Sequence, residues 1–432
     1  MNSALAALIG LVLSIVLILR KLSPVYSLML GALVGGLLAG WEMQTIADHM
    51  IAGVQDISKA IIRILAAGVL TGMLVKTGAA STIARSIVKV LGEKYIYLAL
   101  ALSAMLLTAV GVFVDVAVIT IAPIAIIMGS KLKLSKFKLL LAMIGGGKCG
   151  NILSPNPNTI VAADKFEAPL SSVMAAGIIP ACIGLIVTVF VIVPLMPKGD
   201  LMQSNKVMDD EENLPSLWTS LLGPLVTIIL LSLRPIMDIE IDPLIALPVG
   251  GIIGIIATGN WKNVGACLSY GLEKMSGIAI LLVGTGALAG VIQASEIRDV
   301  LVNALEGWSN GGTIIAPIAG ALMSAASAST TAGASIASAS FSDTIIAAGV
   351  SAVWGAAMVN AGATVLDHLP HGSFFHATGG SMAMSVKERL KLIPYESIVG
   401  LVLAVCSVSV CLLMQYFDDK IQCLLELIKS WL

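Results

Sequence analysis

The chain has 432 residues, 57% hydrophobic and 12% charged, with a mean hydropathy of +0.98. An average soluble domain carries roughly 25% charged residues, so a water-soluble domain is excluded. The formal net charge is -1 and no polybasic block of five or more occurs, so neither nucleic acid nor anionic lipid is suggested as an electrostatic partner.

A membrane span needs about 20 mainly apolar residues. The first candidate, Ala4 to Leu19, looks like a secretory leader, but Arg20 and Lys21 follow it instead of preceding it and no small-residue cleavage site is present. It reads as a retained span. Further candidates are Val25 to Gly40, Ala60 to Val75, Val173 to Pro194, Leu217 to Leu233, Pro243 to Ala257, Gly277 to Ile292 and Tyr395 to Met414.

Between them lie longer apolar regions, Tyr95 to Met128, Leu139 to Ala163, Thr313 to Phe341 and Val350 to Phe375, interrupted by Gly, Pro and polar residues. In the first, Asp115 stands in an otherwise apolar stretch, where a carboxylate is expensive unless paired, solvated or protonated. It is a candidate for a substrate or proton role; the alternative is a hydrogen bond that pins a hairpin.

The segment Lys148-Cys-Gly-Asn-Ile-Leu-Ser-Pro-Asn-Pro-Asn-Thr159 is the sharpest local signal. Pro155 and Pro157 prevent helical hydrogen bonding, and Asn151, Ser154, Asn156, Asn158 and Thr159 can satisfy freed backbone groups or a ligand. Lys148 could anchor an anionic substrate, snorkel, or pair with Asp115.

After it, Pro197 to Pro215 is polar and holds Asp209-Asp-Glu-Glu212, a solvated linker with no assigned chemistry. From Ser324 to Ser342 hydroxyls alternate with alanines. Small residues let helices pack closely in lipid, but Ser329-Thr330-Thr331 is dense enough for a hydroxyl-lined pocket. The last polar cluster, Thr364-Val-Leu-Asp-His-Leu-Pro-His-Gly-Ser373, joins Asp367, His368 and His371, with His376 beyond. Histidine titrates near physiological pH, which suits proton coupling; the alternative is that these groups cap a helix end near the cytoplasmic face.

The two halves answer each other. Gly68-Val-Leu-Thr-Gly72 matches Gly286-Ala-Leu-Ala-Gly290, and the Pro157 segment matches the Pro370 segment. Basic residues favour cytoplasmic loops, and Lys131 to Lys138 is basic where its second-half counterpart is not, while Lys387 to Lys391 is basic where Asp164 to Glu167 is not. The halves therefore face opposite ways. The expected architecture is all-α: a first inverted repeat over 1–196, a cytoplasmic linker over 197–216 and a second repeat over 217–432. Together they give about ten spans, two re-entrant hairpins and two broken helices, with both termini outside.

Inverted repeats with discontinuous helices point to a secondary transporter. Enzymatic motifs are missing: there is no HExxH or GxSxG, and Gly145-Gly-Gly-Lys148 is followed by Cys149 where a P-loop needs Ser or Thr. Six cysteines without CxxC spacing indicate neither a metal site nor a disulfide, and no cofactor is expected. Two rival readings are a cation/proton antiporter, for which buried acids suffice, and a non-transporting scaffold, which has no use for two mirrored breaks.

At these residues the sequence resembles the gluconate permease (GntP) family of bacterial hydroxy-acid symporters, within the ion-transporter superfamily. The likeness covers Gly72-Met-Leu-Val-Lys-Thr-Gly78, the acidic hairpin with Asp115, the Pro155/Pro157 break, the small-residue hairpin and the Asp367-His368 segment. The resemblance implies a bacterial inner-membrane, proton-driven importer of a small hydroxylated monocarboxylate, dimeric, working by an elevator motion. The gluconate branch carries a histidine where Asn156 stands and Gly-Pro where Asn158-Thr159 stand, so glycerate or 3-hydroxybutyrate fits as well as gluconate. Sodium coupling stays open, because unwound carbonyls with Asn and Thr side chains suit a hard cation. Asn151, Ser154, Asn156, Asn158, Thr159, Ser329, Thr330, Thr331 and Lys148 are the expected substrate ligands. Asp115, Asp367, His368 and His371 are the expected proton carriers.

Overall fold

In hydrocarbon every backbone N–H and C=O must bond within the chain, and helices meet that demand here, with no strand among the described residues. The computed structural model describes residues 2–197, 201–202, 214–233, 239, 241–296, 300, 311–370 and 372–431, with side chains through Tyr416. His371 and the acidic run Asp209 to Glu212 lie outside the described residues.

The first half opens with α1 (Ser3–Leu19), α2 (Pro24–Leu38) and the 34-residue α3 (Met43–Lys76). Next come α4 (Ala79–Leu91), bent by 109° from the helix that follows, then α5 (Ile96–Ala109) and α6 (Val114–Lys131). Its last elements are α7 (Lys136–Asn151), α8 (Pro157–Lys165) and α9 (Leu170–Leu195). The second half holds α10 (Leu217–Leu231), α11 (Pro243–Ala257), α12 (Val264–Gln293), α13 (Gly311–Ser327) and α14 (Thr330–Ala347). It ends with α15 (Ala352–Gly362), α16 (Ser373–Ser381), α17 (Val386–Leu390) and α18 (Ile393–Trp431).

Among the described residues five helices are long and apolar enough to cross a membrane, or six if the bent pair counts as one span, beside five shorter apolar helices of 10–17 residues. Two spans differ from the windows read in the sequence. Ala60 to Val75 is the apolar end of α3, and Gly277 to Ile292 is the apolar end of α12. Hydropathy finds only the lipid-like portion, whereas the helix continues through exposed polar residues such as Asp48, Gln55 and Lys59, with Ile46, Gly53 and Ile57 buried on its other face. At 1.5 Å per residue α3 is about 50 Å long, longer than a hydrocarbon core of about 30 Å.

Helices α3 and α12 form the most extensive helix pair. A Cβ on Gly72 would stand 2.0 Å from the Cys267 carbonyl oxygen, and one on Gly53 would stand 2.1 Å from that of Gly286. Only glycine permits this approach, and close backbone packing is what joins helices where no hydrophobic force acts between them. The contact is reciprocal: Gly68 and Gly72 meet Gly271 and Cys267, while Gly286 and Gly290 meet Gly53 and His49. Away from this contact Ile178, Ile186 and Phe190 on α9, and Leu401 and Val405 on α18, are exposed, as lipid-facing side chains are.

Two helical hairpins and two interrupted helices pack beside this pair. Helices α5 and α6 turn through Val110 to Phe113 with Gly111 at φ +104°, and α13 and α14 turn through Ala328 and Ser329. Ala328 is a non-glycine residue at φ +47°, a conformation costing roughly 1–2 kcal/mol. Helix α7 stops at Asn151 and α8 resumes at Pro157; α15 stops at Gly362 and α16 resumes at Ser373.

Candidate functional site

Pro155 and Pro157 lack the N–H that a continuing helix needs, so the chain between α7 and α8 is held by side chains instead. Ser154 Oγ donates to the Asn151 carbonyl at 2.7 Å, and Asn156 Nδ2 donates to Asn151 Oδ1 at 2.8 Å. Asn158 Nδ2 donates to Asn360 Oδ1 at 2.7 Å, and Asn360 Nδ2 donates to Thr159 Oγ1 at 3.1 Å. All six side chains are buried, so Asn360 of α15 stitches the first break to the second half. Asn156 Oδ1 is buried with no hydrogen-bond partner among the described residues.

The second break is built around charge. Lys148, fully buried on α7, donates from Nζ to Asp367 Oδ1 and to the Thr364 carbonyl, both at 2.6 Å, and lies 3.0 Å from His368 Nδ1. Its partner is Asp367 rather than Asp115. Asp367 Oδ2 accepts from Thr330 Oγ1 at 2.5 Å, which fixes the tip of the second hairpin to the break. His368 Nε2 lies 3.1 Å from the Ile393 carbonyl, an acceptor only, so Nε2 carries a proton. Nδ1 stands 3.0 Å from Asp367 Oδ1, between it and the Lys148 ammonium.

His368 is thus buried among charged groups and does not cap a helix end at a surface. Behind it Glu396 Oε2 lies 4.0 Å from His368 Nδ1 and accepts from Arg389 Nη2 at 3.0 Å, with a second Arg389–Glu396 contact through Nη1 and Oε1. Both side chains are buried. Arg389, counted in the sequence among basic loop residues, is an internal counter-ion; nothing in its local sequence distinguishes it from Lys387 and Lys391. His376 Nε2 contacts the Pro370 carbonyl at 2.9 Å on the exposed side.

The hairpin tips and both breaks converge on one cavity of about 270 Å³. Phe113, Val114, Asp115 and Val116 come from the first tip, and Ala328, Ser329, Thr330 and Thr331 from the second. Asn151 and Asp367 come from the breaks, and Ser373 and Phe374 from the start of α16. Lys274, Ile278 and Leu281 of α12 form the remaining wall.

Of the residues singled out in the sequence, the cavity gathers Asp115, Asn151, Ser329, Thr330, Thr331 and Asp367. Ser154, Asn156, Asn158, Thr159, Lys148 and His368 lie outside its lining, in the bonded layer behind it. Sequence reading missed Asn360, Glu396 and Lys274. Lys274 falls just before the apolar window that began at Gly277, and the sequence reading gave it no role.

The lining offers hydroxyls, an amide, two carboxylates and an ammonium beside apolar side chains. The N-termini of α6, α14 and α16 open onto it with their positive dipole ends. Asp115 accepts its own Val116 N–H at 2.9 Å and forms no ion pair among the described residues.

The sequence profile of the GntP family permeases matches residues 3–417. The chain belongs to the GntP permease family. This permease is 55% identical over 406 residues to an uncharacterized transporter of Haemophilus influenzae, covering 94% of this chain and 97% of that one. It is 27% identical over 238 residues to a high-affinity gluconate transporter of Escherichia coli, covering 53% of each chain. Its fold is similar to that of the Alcanivorax borkumensis YdaH transporter, with a TM-score of 0.63 at 15% identity over 87% of this chain and 88% of that one. Family membership and the apolar helices make it a multi-pass membrane permease.

Proposed function

We propose that this permease imports a small hydroxylated monocarboxylate, of the gluconate, glycerate or 3-hydroxybutyrate type, coupled to protons across the bacterial inner membrane. The observation that carries this reading is one cavity lined by a carboxylate, Asp115, and a hydroxyl row, Ser329 to Thr331. Hydroxyls and helix N-termini bind the substrate's oxygens, while Asp115 in the cavity lining, with the Asp367–His368 pair at and behind it, is the proposed proton carrier. The layer of Asn and Ser side chains behind the cavity holds the break open.

The reciprocal contact between α3 and α12 supports two oppositely oriented repeats, residues 1–196 and 217–432. Gly68 and Gly286 play matching roles, as do Gly53 and Gly271, at one constant offset. In this reading the hairpins re-enter from opposite faces and about ten spans cross. The hairpins and breaks move as one body against α3 and α12, in an elevator motion within a homodimer.

The test is uptake of labelled gluconate, glycerate and 3-hydroxybutyrate into proteoliposomes, free of sodium, with and without an inward proton gradient. Gradient-dependent accumulation that fails in Asp115→Asn supports the reading; ion-driven proton flux with no acid uptake replaces it with a cation/proton antiporter. Sodium coupling is favoured by the buried, unpartnered Asn156 Oδ1 near the first tip, and sodium-dependent uptake in the same vesicles would establish it.

A further inference from the structure

The proposed substrate is an anion at neutral pH, and an anion entering a membrane cavity needs a positive partner there. Lys148, the cation the sequence offers, is spent: it is fully buried, its ammonium is bonded to Asp367, Thr364 and His368, and it does not line the cavity. The charged residues that do line it are Asp115, Asp367 and Lys274. Asp367 is neutralised by Lys148. Without Lys274 the lining would present an uncompensated carboxylate and would repel the ligand.

We infer that Lys274 is the residue that binds the substrate's carboxylate, a role that rests on the transport reading above. Lys274 stands on the 33-residue span Trp261–Gln293, at the edge of its apolar part and beside the cavity that it lines. It is exposed and forms no ion pair among the described residues. Its ammonium lies 5.4 Å from the centre of the Tyr270 ring, and Lys76 approaches the same ring at 5.0 Å. A cation–π contact orients the lysine without cancelling its charge.

Lys274, Ile278 and Leu281 follow helical spacing, so one face of α12 presents a cation followed by apolar side chains. Across the cavity stand the hydroxyls of Ser329, Thr330 and Thr331. This arrangement fits a ligand with one carboxylate, a short carbon chain against Ile278 and Leu281, and hydroxyls toward the second tip.

The experiment uses whichever of the three acids the wild type takes up. Lys274→Gln is expected to raise its KM roughly ten- to hundredfold, the worth of a hydrogen bond to a charged group, and Lys274→Arg to recover most of that loss. A second measurement needs no variant: in the purified wild type, gluconate or the transported acid should protect Lys274, but not exposed Lys262, from acetic anhydride, read by mass spectrometry. An unchanged KM in Lys274→Gln, or equal acetylation with and without the acid, overturns the assignment and leaves the transport reading standing. A wild type that takes up none of the acids overturns both.

Discussion

Lys148 and Asp367 form a buried ion pair at 2.6 Å that joins the first interrupted helix to the second. Each charge is tolerable only because of the other, since one left alone in a dry interior costs several kcal/mol. The pair also turns one face of Asp367 toward the cavity, where Thr330 bonds it.

Lys148→Met should therefore destabilise the purified permease by about 3–5 kcal/mol, seen as a lower thermal unfolding midpoint in detergent. Adding Asp367→Asn should restore much of it, because the uncompensated charge is gone. Additive losses in the double variant would show that the two side chains are not coupled.

Arg389→Met leaves Glu396 buried and unpaired beside His368. The expected loss is again about 3–5 kcal/mol, whereas Lys387→Met, on the same short helix but exposed, should change stability by less than about 0.5 kcal/mol. The two unfolding midpoints measured side by side check the claim.

Asn360→Leu removes the acceptor of Asn158 Nδ2 and the donor to Thr159 Oγ1. Stranding these buried groups should cost about 1–3 kcal/mol and lower uptake, although neither Asn158 nor Thr159 lines the cavity. Full stability in this variant would mean that the stitch between halves carries no load.

Thr330→Val keeps the shape of the second tip and deletes its hydrogen bond to Asp367. A bond to a charged group is worth about 1.5–3 kcal/mol. Transport should fall through a raised KM for the acid with the protein still folded, and Thr330→Ser should recover function. A wild-type KM in Thr330→Val would place this hydroxyl outside the working site.

Gly72→Ala puts a Cβ within 2.0 Å of the Cys267 carbonyl oxygen, a backbone atom that cannot swing away. Helices α3 and α12 must separate, with an expected cost of about 1–3 kcal/mol. The same change at Gly265, where nothing stands within 4 Å, should be silent. Expression and unfolding of the two variants provide the comparison.

The sequence by itself determined the solvent, the helical class and the places where helices break. These are local consequences of composition and of two prolines: apolar length requires a bilayer, and a missing N–H at Pro155 and Pro157 ends a helix wherever it occurs. The clustering of hydroxyls at Ser329 to Thr331 and the isolated Asp115 were visible for the same reason, as polar residues in apolar surroundings. What only the tertiary structure decided was partnership. Whether Lys148 meets Asp115 or Asp367, and whether Lys274 lines a cavity, depend on residues far apart in the chain, and even Arg389 and Glu396, seven residues apart, stand on two separate helices whose packing brings them together. A buried charge is defined by what packs against it, and packing across about two hundred residues leaves no trace in local spacing.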